Sequence, residues 1–143
     1  MPSASYSHTV TTPQSAAAIW KRLNDPDTWL AIGPVEGVDN AELSTDGHLE
    51  GFDWYTTVGP RKITGTAKVT ESTKNQSMTL SLDAGELVGD LSASLDKNGK
   101  GSDLTVSIDI TSKGGMASLF FPVISEVLGR GLPEQVEEFA ATL

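Results

Sequence analysis

Residues 62–70, KITGTAKVT, carry the plainest structural signal in the chain. Ile63, Gly65, Ala67 and Val69 alternate with Lys62, Thr64, Thr66, Lys68 and Thr70, the period of a strand with one small apolar face and one wet face. A half-wet strand needs partners for its backbone and a cover for its apolar side, and its neighbours in sequence have to supply both.

On the N-terminal side, Phe52, Trp54, Thr56 and Val58 share a face before Gly59-Pro60, and Ala41 and Leu43 share one before Asp46-Gly47. On the C-terminal side, Met78, Leu80 and Leu82 alternate with polar residues. Leu87, Gly89, Leu91, Ala93 and Leu95 then run to Lys97-Asn98-Gly99, and Leu104, Val106, Ile108 and Ile110 close the series. Period two, interrupted every ten or so residues by turn chemistry, predicts a meander of antiparallel strands from about residue 38 to residue 111. Residues 4–10, with Tyr6, His8 and Val10 on one face, predict a strand ahead of it.

The flanks are helical. Ala16, Ile19, Trp20 and Leu23 recur at helical spacing, with Thr11 or Thr12 placed to cap and Pro13 in the first turn. Asn24-Asp25-Pro26-Asp27 ends that helix and starts a second, capped by Asp25 and carrying Trp29, Leu30 and Ile32. From Gly115 to Leu143 the spacing predicts a long helix: Leu119, Phe120, Val123, Ile124, Val127 and Leu128 form one stripe, continued by Leu132, Val136, Phe139 and Leu143. Pro122 and Pro133 predict bends or a break in it, and Glu134, Glu137 and Glu138 are assigned to its wet face. This helix is the segment left to cover the sheet. The predicted class is therefore α+β, a seven-stranded antiparallel sheet wrapped round a long C-terminal helix, with two short helices after the first strand.

At 143 residues the chain is long enough for one core, and residues 1–143 are expected to form a single domain. Neither a long apolar run nor a secretory leader pattern is present, so a cytoplasmic protein without stable membrane insertion is expected. The absence of cysteine removes disulfides, thiolate nucleophiles and cysteine-ligated metals. A formal net charge of −9 opposes nucleic acid and anionic lipid as partners, and solubility alone also accounts for it.

The stretches AAAIWKRLNDPDTWLAIGPVEG (16–37), VGPRKITGTAKVTE (58–71) and SDLTVSIDITSKGG (102–115) give the chain a family resemblance. The order strand, two helices, six-stranded meander and long helix resembles the helix-grip fold of the SRPBCC superfamily, which includes StAR-related lipid-transfer domains, pollen-allergen-like proteins and polyketide cyclases. The first stretch is similar to that superfamily's opening helix pair, and the other two are similar to its CoxG-like branch, the one associated with carbon monoxide dehydrogenase. The resemblance implies an apolar cavity between the sheet and the last helix. Such a cavity would hold a lipid-, quinone- or polyketide-like molecule for carriage, or for cyclisation or dehydration, and the CoxG likeness implies an accessory role beside a redox enzyme.

The strand pattern by itself fits a filled core as well as a ligand site, because small Gly65, Ala67, Gly89 and Ala93 opposite bulky helix residues can simply interdigitate. The resemblance favours the site. Its expected apolar lining is Phe52, Trp54, Ile63, Ala67, Leu80, Leu91, Phe120, Phe121, Ile124, Val127 and Leu128, with Tyr6, His8, Asp53, Tyr55 and Arg61 as candidate polar contacts. The favoured function is binding of a small apolar molecule without catalysis. The rival is a cyclase or dehydratase using His8, Asp53 or Tyr55 for proton transfer. His48 follows a turn glycine and is read as solvated, and two histidines forty residues apart meet no metal-spacing rule. No cofactor or metal is expected, and a protein partner or a second copy is left open.

Overall fold

The first strand, β1 (Ser3–Thr12), leads into α1 (Ala16–Leu23) and α2 (Pro26–Ile32). Six strands follow: β2 (Gly37–Leu43), β3 (Leu49–Val58), β4 (Arg61–Thr73), β5 (Ser77–Asp83), β6 (Leu87–Asn98) and β7 (Gly101–Ser112). The last element is α3 (Gly115–Ala141). This is a computed structural model, and it describes residues 3–32, 35–58 and 60–143; the side chains of residues 58, 61, 116–118, 120, 124 and 127–129 lie outside that description.

The seven strands form one curved antiparallel sheet in the order β1-β7-β6-β5-β4-β3-β2. Its register aligns apolar residues in rows across one face. Phe52, Ala67, Leu82, Gly89, Ile110 and Ala4 form one row, and Val69, Leu80, Leu91, Ile108 and Tyr6 form the next. The hairpin turns use the positive φ that their geometry requires at Gly47, Gly85 and Gly99, and Asn75 supplies it between β4 and β5.

The cap of α1 differs from expectation. β1 continues through Thr12, whose Oγ1 accepts from the Gln14 N–H at 3.3 Å, so neither Thr11 nor Thr12 is free to cap. Ser15 takes that place, its Oγ accepting from the Ala18 N–H at 3.2 Å. α2 starts as expected, with the Asp25 carboxylate accepting from the Asp27 N–H at 2.9 Å and Pro26 as first residue.

α3 differs more. It runs as one helix through Pro122 and Pro133, so of the bends or break expected there the break does not occur. Each proline costs about 3 kcal/mol in a helix interior, and burial of Phe121, Leu132, Val136 and Phe139 offsets this at about 1.5–3 kcal/mol per side chain. Of the predicted stripe, Leu132, Val136 and Phe139 are buried as expected, Leu119 and Val123 are not, and the side chains of Phe120, Ile124, Val127 and Leu128 lie outside the described residues. Leu119 is 71% and Val123 48% exposed, whereas Phe121 is buried. Two side-chain contacts hold α3 against β1: Tyr6 Oη with Ser125 Oγ, and His8 Nε2 with Glu137 Oε1 at 2.8 Å. Glu137 is exposed as expected, yet it is bonded to the sheet rather than merely wet.

The core gathers Ile19, Leu23, Trp29 and Ile32 of the helix pair with Val136 and Phe139 of α3 and the inner residues Met78, Leu80, Ala93, Leu104 and Val106. At its margin the Arg22 guanidinium lies 5.1 Å from the Phe139 ring centroid and donates to Thr142 Oγ1 at 3.3 Å, tying α1 to the end of α3.

Candidate functional site

The inner face of the sheet is covered unevenly. At one end Met78, Ala93, Leu104 and Val106 are fully buried within the core. Toward the other end Ile63, Ala84 and Leu87 pack against that core and are only half-buried, and in the rows between, half-buried Val69 and Leu82 are paired with buried Leu80 and Ala67. Leu87 is paired with Ser112, three residues before α3 begins, so this half-covered end lies beside the start of α3. Among the described residues, Phe121 is the buried side chain in the first half of α3.

Two glycines that sequence reasoning treated as space-makers have other roles. A Cβ on Gly65 would lie 2.5 Å from Trp54 Cζ2 and 2.6 Å from the Asp83 carbonyl oxygen, so the indole of Trp54 already occupies the room beside Gly65. The Trp54 N–H donates to the Thr66 carbonyl at 3.0 Å, which fixes the ring there. At Gly89 a Cβ would run into the Asp109 carbonyl, so that position serves close approach of two strands.

Of the predicted apolar lining, Phe52, Trp54, Ala67, Leu80, Leu91 and Phe121 are buried on the inner side, and Ile63 stands at the half-covered end. The side chains of Phe120, Ile124, Val127, Leu128 and Arg61 lie outside the described residues. Val69, Leu82 and Leu87 were legible as inward by alternation, although nothing in the sequence marked them as less covered than their neighbours. Ser125 carried no signal of its own, because its place opposite Tyr6 follows from how α3 is rotated.

The predicted polar residues do not converge. His8 is paired with Val106 on the inner face and bonded to Glu137. Asp53 and Tyr55 alternate with buried Phe52 and Trp54 and therefore point outward, paired with Thr66 and Thr64. On that outer side Asn40, held at φ 52° in a bulge of β2, donates from Nδ2 to Asp53 Oδ2 at 2.8 Å. Lys62 Nζ sits 4.7 Å from the Tyr55 ring centroid. Two shallow recesses of about 500 and 430 Å³ meet here at Asn40, Asp53 and Thr66. The sheet thus separates His8 from Asp53 and Tyr55, and no single substrate can touch all three. His48 is exposed in its turn. No group of three His, Asp or Glu side chains fit to hold a metal occurs among the described residues, and no helix among them is long and apolar enough to cross a membrane.

A seven-stranded antiparallel sheet curved round a C-terminal helix, with a helix pair after the first strand, is the helix-grip fold of START and Bet v 1-like proteins. Solved structures share it over nearly their whole length. TTHA0849 from Thermus thermophilus matches with a TM-score of 0.74 at 8% identity, covering 96% of this chain and 95% of that one. A START superfamily protein from Mycobacterium smegmatis matches at 0.66 and 17% identity, covering 94% and 92%. Ara h 8.0201 matches at 0.58 and 12% identity, covering 99% and 100%. No protein-family model and no curated protein matches the chain. At these identities the likeness concerns the fold.

Proposed function

We propose that this chain binds a small apolar molecule at the half-covered end of its inner face, against Ile63, Leu82, Ala84 and Leu87, and sequesters or delivers it in the cytoplasm. The observation that carries this reading is the gradient of cover along one apolar face, fully packed at one end and half-buried at the other. Apolar side chains aimed toward a core and left partly wet lose the stabilisation that burial would give them, and an apolar ligand restores it. A ligand covering roughly 300 Å² of apolar surface gains about 7 kcal/mol before association costs, the scale of low-micromolar binding once a few hydrogen bonds are added. The separation of His8 from Asp53 and Tyr55 favours binding over the cyclase reading.

The test is fluorescence titration with ethylnaphthalene, backed by native mass spectrometry of gently purified protein. Saturable uptake is expected. Leu87→Lys, which places an ammonium in the apolar wall, should weaken it about tenfold or more, while Thr64→Lys on the outer face should leave it unchanged. Absence of uptake by the unaltered chain, with no retained apolar compound in the native spectra, sinks the reading.

A further inference from the structure

Asn98-Gly99 is the one Asn-Gly step in the chain, and the fold sets it at the tip of the β6–β7 hairpin. Asn98 is the last residue of β6, Gly99 and Lys100 make the turn, and Asn98–Gly101 is the end pair of the ladder. Residues 96–100 are all exposed. Gly99 takes φ 60°, and a Cβ built on it would meet nothing within 4 Å, so no neighbouring element crowds the turn.

This arrangement opens Asn98 to attack by its own main chain. When the Gly99 nitrogen reaches Asn98 Cγ, the N–Cγ bond forms and the Cγ–Nδ2 bond breaks. The amide nitrogen leaves as ammonia, taking up the proton of the Gly99 N–H. Water then opens the cyclic imide at one carbonyl or the other, leaving aspartate or isoaspartate at position 98. No oxidant or cofactor enters. Glycine, without a side chain, obstructs the ring closure least, and Lys97 and Lys100 flank the step with charges that favour the anion developing on the attacked carbonyl oxygen. The other asparagines are placed differently. Asn24 is buried with its amide bonded at both ends, Asn75 Oδ1 is buried, and Asn40 is followed by Ala41, which carries a side chain.

We propose that Asn98 is a site of spontaneous modification, and that its conversion to a carboxylate loosens the corner where β6, β7 and β1 meet. The Asn98 amide donates from Nδ2 to Asp103 Oδ1 at 3.0 Å, and Thr11 Oγ1 of β1 donates to the same oxygen at 2.7 Å. Asp96 stands opposite Asp103 in the register. An ionised carboxyl at position 98 can only accept, so the bond to Asp103 is lost and a further negative charge joins Asp96 and Asp103. That bond is the first cause holding the Asp103 carboxyl low, and a like charge in its place acts in the opposite direction. Isoaspartate goes further, because it routes the main chain through the side-chain carbon and disrupts the Asn98–Gly101 pair.

The experiment ages the folded chain and the free peptide of residues 96–103 side by side in mildly alkaline buffer. Peptide mapping by mass spectrometry follows each asparagine, and isoaspartyl methyltransferase labels the isoaspartate. Ring closure in the folded chain has to open the Asn98–Asp103 bond and the end pair of the ladder, each worth about tenfold in population. Asn98 should therefore convert within about a hundredfold of the peptide rate, and ahead of Asn24, Asn40 and Asn75. Asn98→Gln, whose imide needs a larger ring, should abolish the label. Asn98→Asp should elute with the aged chain on anion exchange and melt at a lower temperature than the unaltered protein in low salt, by a margin that shrinks as sodium chloride is raised. Conversion that begins at another asparagine, or an Asn98 that stays intact in the folded chain well past that limit, overturns the site. Aged protein and Asn98→Asp that both melt with the unaltered chain overturn the loosening.

Discussion

Asn24 is a residue whose work is invisible to its neighbours in sequence. As part of Asn24-Asp25-Pro26 it reads as a helix stop, which it is. It is also buried, donating from Nδ2 to the Trp20 carbonyl at 3.1 Å and accepting at Oδ1 from the Leu49 N–H at 2.9 Å. One amide thus serves a helix end and a strand start 25 residues apart. Asn24→Ala removes both side-chain bonds; the Trp20 carbonyl keeps the Asn24 backbone N–H at 3.3 Å, but the Leu49 N–H loses its acceptor, so urea unfolding should show a loss of about 1–3 kcal/mol. Gly65 is the second case. Its inward position was legible from alternation, but the indole lying against it was not, because cross-strand distance is absent from a one-dimensional pattern. Gly65→Ala pushes a methyl into Trp54 and the Asp83 carbonyl, and overpacking of this kind should cost about 1–3 kcal/mol with a change in tryptophan emission. A variant that unfolds at the unaltered urea midpoint would show that the ring moves aside freely.

At the scale of elements, the strands were the most legible part, since period two and turn chemistry are local properties that the register then confirms row by row. Caps and helix rotation were less so. Ser15 caps α1 only because β1 pairs with β7 as far as Thr12, and α3 is held against β1 where Tyr6 and His8 engage Ser125 and Glu137. Those are facts about tertiary contacts: which strand residues face inward could be read from alternation, and which part of α3 meets β1 could not. The same logic locates a pH response. Asp103 on β7 receives hydrogen bonds from Asn98 Nδ2 at 3.0 Å and Thr11 Oγ1 at 2.7 Å, joining the end of β6 and the end of β1. The Asn98 bond first and the Thr11 bond second hold its carboxyl below the ordinary value of 3.8, against a small opposing effect of desolvation. A carboxyl depressed by folding contributes stability that is fully present above its unfolded value and is lost as pH falls through the lower folded one. Thermal unfolding followed from pH 7 downward should therefore lose part of its stability below about pH 4, and Asp103→Asn should flatten that acid limb. An unchanged limb in the variant would remove Asp103 from the account.

For the molecule as a whole, two asymmetries matter: cover along the inner face and charge over the outer one. The first leaves Ile63, Ala84 and Leu87 half-buried toward the start of α3. The second follows from the register, which sets like charges directly opposite one another in three places: Asp39 against Asp53, Asp90 against Asp109, and Asp96 against Asp103. Asn40 relieves the first pair by donating to Asp53, and Asn98 and Thr11 relieve the third by donating to Asp103. The Asp90–Asp109 pair is flanked in register by Ser81 and Ser5, which bring no positive charge, on a chain whose net charge is already −9. Directly opposed like charges destabilise a strand pair, and salt screens such repulsion within a Debye length of about 10 Å at 0.1 M ionic strength. Asp90→Asn keeps the shape and removes the repulsion, so it should stabilise the protein by a few tenths of a kcal/mol and up to about 1 kcal/mol at low salt. In the unaltered chain the melting temperature should rise as sodium chloride is increased from about 0.01 M to about 0.3 M, where screening becomes short-ranged. The gain from Asp90→Asn should shrink over the same range. A variant whose advantage stays constant with salt would show that the substitution acts through packing or strand propensity and that the outer face carries no electrostatic strain.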